Sequence, residues 1–205
     1  MSDRALLMFS GGIDSVQALV ARCERGERTH IHHVALHNAE RRASAERSAV
    51  LRVRKWVNLN GYGDLVTYGE STFDYGSIRK VARDHNVWGL VAALVLTDKR
   101  DIRHVVRTFH RDSVVGGINS PEGQKAELAW RQTIDRLLPE REVEFLYPQI
   151  NMTKAEIIAA LPEGVLELCW YCRRPQGGKP CHACHTCRQV DHAVAGKKWV
   201  PLDER

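Results

Sequence analysis

The stretch Ala5-Leu6-Leu7-Met8-Phe9-Ser10-Gly11-Gly12-Ile13-Asp14-Ser15 sets the reading of the whole chain. Ala5 to Phe9 is a short continuous apolar run, the pattern of a strand covered on both faces. Ser10-Gly11-Gly12 breaks it. From Asp14 to Glu24 the spacing becomes helical, with Val16, Leu19, Val20 and Cys23 on one side. A strand that ends at two glycines and re-enters as a helix gathers free N–H groups and the positive end of a helix dipole at one point. Glycine lets that backbone approach a phosphate without a Cβ in the way. Ser10 and Ser15 add hydroxyls, and Asp14 can hold Mg²⁺ against the phosphates. Phe9, Ser10, Gly11, Gly12, Ile13, Asp14 and Ser15 are therefore the candidate nucleotide-binding residues. The bland alternative is an ordinary glycine turn in which Asp14 caps a helix.

Outward from the loop, strands and helices alternate. Ile31 to Leu36 reads as a strand, Ser44 to Leu59 as a helix carrying Val50, Val53 and Val57, and Leu65 to Tyr68 as a strand. Ser77 to Asp84 and Val87 to Leu96 read as helical, Ile102 to Phe109 as a strand, Glu122 to Leu138 as a helix and Val143 to Leu146 as a late strand. Pro121 stands where a helix start tolerates it. This alternation predicts an α/β fold, a parallel sheet sandwiched by helices, with right-handed crossovers. A short helix at Thr153 to Ala160, with Thr153 and Glu156 near capping-box spacing, leads into a cysteine-rich tail. The expected division is a phosphate-binding domain over residues 1–150 and a C-terminal helix with a cysteine-rich module over 151–205. That module is too small to bury a core of its own and needs a metal or the main domain.

The chain has 205 residues, 43% of them hydrophobic and 27% charged, which places it among ordinary globular proteins. The longest apolar run, Val87 to Leu96, is about half a membrane span, so no membrane is expected. The N-terminus runs straight into structure without a signal-peptide pattern, and a cytosolic location is the expectation. A net charge of +5 without a long basic run suits an anionic small ligand more than nucleic acid, and a solvated surface is the simpler reading.

Five of the six cysteines, Cys169, Cys172, Cys181, Cys184 and Cys187, crowd into one short stretch. Crowding of this kind favours a metal over chance, and a reducing compartment disfavours disulfides. Two tetrahedral zinc sets compete on spacing. One is Cys172, Cys181, Cys184 and Cys187; the other pairs Cys169 and Cys172 with Cys181 and Cys184, leaves Cys187 free, and is the one that spacing alone slightly favours. Cys181 to His185 also matches the c-type haem attachment pattern, which requires export, and an iron–sulfur cluster on the Cys-x-x-Cys-x-x-Cys run is a further alternative. Cys23 reads as a buried apolar thiol. Along the second strand, alternation sets His30 and His32 on one face and His33 on the other, which argues against a metal cluster there. Trp170 and Tyr171 can stack on a purine-like base or pack against the cysteine knot.

The loop is neither G-x-x-x-x-G-K-[ST] nor G-x-G-x-x-G, which disfavours a Walker NTPase or a dinucleotide fold. S-G-G-x-D-S after a strand resembles the signature of the PP-loop ATP pyrophosphatases, which cleave ATP between the α- and β-phosphates and adenylate a substrate. With Lys154 and Glu156 on a late helix, the aromatic–cysteine pair Tyr171-Cys172, and then Cys181, Cys184 and Cys187, the chain resembles the 7-cyano-7-deazaguanine synthase family over both ends. The resemblance implies ATP, Mg²⁺ and Zn²⁺ as cofactors, Asp14 and Lys154 as catalytic residues, and zinc on Cys172, Cys181, Cys184 and Cys187, with Cys169 spare. It implies that 7-carboxy-7-deazaguanine and ammonia are converted to the nitrile through adenylated intermediates. The expected partners are that acid and ammonia, with a homodimer as an open assembly; nucleic acid or a protein partner ranks behind them.

The middle of the chain departs from the family. Asn86-Val87-Trp88-Gly89-Leu90 stands near the place of the P-G-R-N segment, and Arg107-Thr108-Phe109-His110-Arg111-Asp112-Ser113 replaces the aspartate- and glycine-containing segment after the fourth strand. Arg188-Gln189-Val190 follows the last cysteine where the family usually carries Leu-Arg. The departures leave two other readings open. One is a PP-loop enzyme that adenylates another acceptor, such as a tRNA base or a protein carboxylate. The other is a nucleotide-binding zinc protein without turnover.

Overall fold

The computed structural model describes residues 4–38, 40–76, 84–113 and 120–196. Five parallel strands form one sheet in the order β3-β2-β1-β4-β5. They are β1 (Arg4–Met8), β2 (Thr29–His37), β3 (Val66–Asp74), β4 (Ile102–Val106) and β5 (Glu144–Leu146). Among the described residues the α-helices beside them are α1 (Ile13–Glu24), α2 (Ala43–Leu59), α3 (Asp84–Asp98), α4 (Pro121–Leu137), α5 (Lys154–Ala159) and α6 (His185–Val194). The α/β sandwich read from the alternation is the fold observed.

Period-two alternation divides the strands between two cores. Ala5, Leu7, Phe9 and Ile31 face one core with α1, α2 and Ile157 of α5. Leu6, Val34, Leu36 and Val105 face the other with α3 and with Trp130 and Ile134 of α4. Removal of these side chains from water, at roughly 25 cal/mol per Å² of apolar surface, is the main term holding the layers together. Only Arg4 and Met8 of β1 are less than fully buried, as a central strand of a parallel sheet requires.

The predicted elements are present with shifted ends. β3 is longer than Leu65 to Tyr68 because it pairs with β2 as far as Asp74. β4 stops at Val106, and residues 107–113 leave the sheet as a loop. Most of the predicted Ser77 to Asp84 helix, and most of the Gly116 to Pro121 loop, lie outside the described residues. Ser120 caps α4, accepting from the Gly123 N–H at 3.0 Å, with Pro121 in the first turn. Thr153 and Glu156 form a full capping box on α5. The tail also holds a helix that its polar, cysteine-rich sequence did not announce: α6 begins at the cysteine knot.

In this strand order the connections from β1 go one way to β2 and β3, and the chain then crosses back to β4 on the other side of β1. The crevice of an open α/β sheet lies at such a switch point, at the carboxyl ends of the strands. Here it lies between the loop after β1 and the loop after β4.

Candidate functional site

The loop after β1 is the glycine turn. Gly11 has φ +71°, and a Cβ there would lie 3.0 Å from Ala49 Cβ and 3.0 Å from the Val50 backbone nitrogen. Only glycine fits both constraints. Gly12 occupies the N-cap of α1 and, having no side chain, caps none of the first-turn amides. The amides at that helix start are thus left for an anion. Around the turn, the Gly12 N–H donates to Ser10 Oγ at 3.2 Å and Ser15 Oγ–H donates to the Gly12 carbonyl at 3.0 Å. The hydroxyls therefore lie inside the turn, at its mouth.

Asp14 is the first acid of α1, and its side chain is partly exposed. Lys154, the first residue of α5, is buried at 3% exposure, and its ammonium is paired with Asp14 Oδ1. The capping box explains why the lysine reaches this point: Thr153 and Glu156 fix the start of α5 beside α1. It is therefore not a solvent-facing helix lysine. Buried Gln149 secures the same corner, donating to the Asp14 carbonyl at 2.9 Å and to Gln17 Oε1 at 2.5 Å.

The loop after β4 contributes a pair that the sequence reading assigned no role. His110, 5% exposed, has Nδ1 2.9 Å from Asp112 Oδ1 and Nε2 3.7 Å from Asp14 Oδ2. Asp112 also accepts from the Lys154 backbone N–H at 2.8 Å. Burial pushes the Asp112 carboxyl up, but the bonds from His110 and Lys154 outweigh it and hold the group below the ordinary carboxylate range. His-x-Asp just past a strand that borders the switch point was the signal available in sequence. Gln149 and Gln189 had none.

The second centre lies in the tail. The Sγ atoms of Cys172, Cys181, Cys184 and Cys187 all lie within 4.8 Å of one another, and Cys181 Sγ is 4.0 Å from Cys187 Sγ. A tetrahedral ion roughly 2.3 Å from each sulfur separates its ligands by about 3.8 Å, so these thiols fit one ion. The chain itself supplies the outer hydrogen bonds such a site requires. The Arg174 and Cys181 N–H groups donate to Cys172 Sγ at 3.4 and 3.3 Å, and the Cys184 N–H donates to Cys181 Sγ at 3.2 Å. Cys169 is not among them. It packs in the main core, donates to the Val165 carbonyl at 3.4 Å, and burial pushes its thiol up to about 12. Trp170 and Tyr171 pack against the knot, and Trp170 Nε1–H donates to the Cys172 carbonyl at 2.9 Å.

The histidines of β2 are buried and separately partnered. His30 Nδ1 meets Thr67 Oγ1 at 2.8 Å, His32 Nε2 meets Ser71 Oγ at 2.9 Å, and His33 Nδ1 meets the Phe9 carbonyl at 3.0 Å. Among the described residues the four-cysteine group is the one cluster with metal-holding geometry.

No protein-family model and no curated protein matches the sequence. Solved structures do match the fold. The NMN synthetase from Francisella tularensis superposes with a TM-score of 0.53 at 14% identity, over 97% of this chain and 79% of that one. The U34-tRNA thiolase NcsA from Methanococcus maripaludis, solved with its 4Fe–4S cluster, gives 0.49 at 12% identity over 94% and 64%. A predicted subunit of tRNA methyltransferase from Methanocaldococcus jannaschii gives 0.39 at 12% over 77% and 73%. The fold is shared with the NMN synthetase. In this chain the glycine turn, Asp14, Lys154 and the His110–Asp112 pair meet at the switch point, and the segment with the cysteine knot packs beside them.

Proposed function

We propose that this protein is an ATP-dependent carbon–nitrogen ligase that converts 7-carboxy-7-deazaguanine and ammonia to 7-cyano-7-deazaguanine through adenylated intermediates. The observation that carries the ATP part is the open helix start of α1 behind a glycine turn that no other residue fits, with Lys154 buried against Asp14 at its edge. A carboxylate is a poor electrophile, and adenylation supplies a good leaving group. One carboxylate oxygen attacks the α-phosphorus and the α–β bridging bond breaks, releasing pyrophosphate. Ammonia then adds to the acyl carbon, AMP departs and a proton is lost, leaving the amide. In a second round the amide oxygen attacks the α-phosphorus of another ATP. Pyrophosphate leaves again, and loss of AMP and of both amide N–H protons then gives the nitrile.

The chain's own residues act by position and charge. Phe9 to Ser15 would cradle the phosphates. Asp14 would hold Mg²⁺, which supplies charge neutralisation on the phosphate oxygens. Lys154, paired with Asp14, stands where its ammonium would neutralise the phosphates or the substrate carboxylate. Cys172, Cys181, Cys184 and Cys187 would hold Zn²⁺ as a structural ion, a single-ion assignment supported by their close spacing.

A second reading keeps the adenylation and changes the acceptor. It is favoured by the altered segment after β4, where His110 and Asp112 stand beside Asp14. Incubation with MgATP, ammonia and the deazaguanine acid is expected to release AMP and pyrophosphate and to yield the nitrile mass. AMP release only with tRNA or a protein partner would replace the substrate. ATP bound but never cleaved would remove the enzyme.

A further inference from the structure

The cysteine-rich segment touches the main fold in three places, each within two residues of a cysteine of the knot, and two of them are at the switch-point crevice. Two residues before Cys172, the Trp170 N–H donates to the Gly11 carbonyl at 2.9 Å, and the Trp170 carbonyl closes over Gly12, 3.3 Å from where a Cβ would stand. Two residues after Cys187, buried Gln189 donates from Nε2 to the Asp112 carbonyl at 2.7 Å. Beside Cys172, Arg173 reaches Asp84 at the start of α3 at 3.1 Å. Thus one contact holds the loop after β1, the second holds the loop after β4, and the third spans to the opposite helical layer.

The strap from Cys169 to Cys172 is fixed at both ends. Cys169 is anchored in the main core, and the Leu168 carbonyl accepts from Arg52 of α2 at 3.1 Å. Cys172 belongs to the knot. α6, which carries Gln189, starts at Cys184 as its N-cap and includes Cys187. Without an ion, four thiols converging within 4.8 Å have little to hold them together, since the knot contributes only small side chains and two aromatics. Each contact residue thus sits between an anchor in the main core, Cys169 for Trp170 and Val190 for Gln189, and a cysteine of the knot, so what the cysteines hold bears on the setting of both.

We propose that Trp170, through its backbone, and Gln189 are positioning residues, and that metal in the cysteine knot sets the two loops of the nucleotide crevice through them. Nucleotide affinity is then coupled to metal occupancy although the metal touches no substrate. The inference rests on the reading of that crevice as the nucleotide site.

The test combines hydrogen–deuterium exchange with equilibrium binding of ATP, using the full chain with its metal, after chelation, and as a loaded Gln189→Met variant. Chelation is expected to raise deuterium uptake in peptides covering 9–16 and 107–113 while α4 and β5 stay protected, and to weaken ATP binding tenfold or more. Gln189→Met is expected to keep its metal and to stay folded, with a melting temperature lower by only a few degrees. Its uptake should rise at 107–113, and its ATP affinity should fall about five- to tenfold, the worth of one buried hydrogen bond. Unchanged uptake at both loops after metal loss would overturn the coupling. Should the chelated protein unfold throughout, the loaded Gln189→Met protein decides, and wild-type uptake at 107–113 in it would overturn the proposal. Absence of ATP binding by the loaded wild type would instead remove the nucleotide reading, and the uptake data would still report on the coupling.

Discussion

Lys154 and Gly11 concentrate most of the site's chemistry in two positions. Lys154 has lost its water and has Asp14 as its counter-ion, an arrangement that is costly unless the charge is used or fully paired. Replacing it with methionine keeps the volume and removes the charge. AMP formation is expected to fall by a factor of roughly 10² or more, the scale seen when one preorganised charge is removed from a phosphoryl-transfer site. The metal content of Lys154→Met should equal that of the wild type, measured by elemental analysis. Gly11→Ala tests the turn. Its Cβ would have to push against Ala49 and Val50 from a left-handed backbone, at a cost of roughly 1–3 kcal/mol. A lowered melting temperature together with lost ATP binding is expected; an unchanged ATP affinity would show that the turn does not hold the nucleotide.

At the scale of elements, β2 carries a pH liability. Burial, with some help from nearby cations, lowers His30 from an ordinary 6.5 to about 4, and burial also lowers His32 and His33. The folded state takes up these protons later than the unfolded chain does. The stabilisation is therefore complete above about pH 6.5 and is lost as pH falls toward 4. For His30 alone the loss by pH 5 is about 2 kcal/mol. Denaturant midpoints between pH 7 and 5 should fall accordingly, and His30→Gln should flatten that slope. Periodicity made β1, β2 and the helices on either side of them legible because their apolar positions face a dense core. It could not show that β3 runs on to Asp74, which is set by pairing with β2, and α6 went unread because its apolar stripe, Cys187, Val190 and Val194, is short and begins with a cysteine assigned to metal.

At the scale of the molecule, the strand order brings distant residues together. Asp14 and Lys154 are far apart in sequence but touch, and both had been singled out from their motifs. His110, Asp112, Gln149 and Gln189 join them only through the fold, by hydrogen bonds that leave no local pattern in the chain. The choice among cysteines shows the same limit. Spacing left two sets open, and packing separated Cys169 into the main core, away from the other four. The central claim is that the crevice adenylates an acid. Exchange of labelled pyrophosphate into ATP, followed with the deazaguanine acid present and ammonia withheld, measures that step by itself. Acid-dependent exchange, with AMP as the nucleotide product once ammonia is added, is the expected result. ATP broken down to ADP and phosphate, with no label entering ATP, would contradict it.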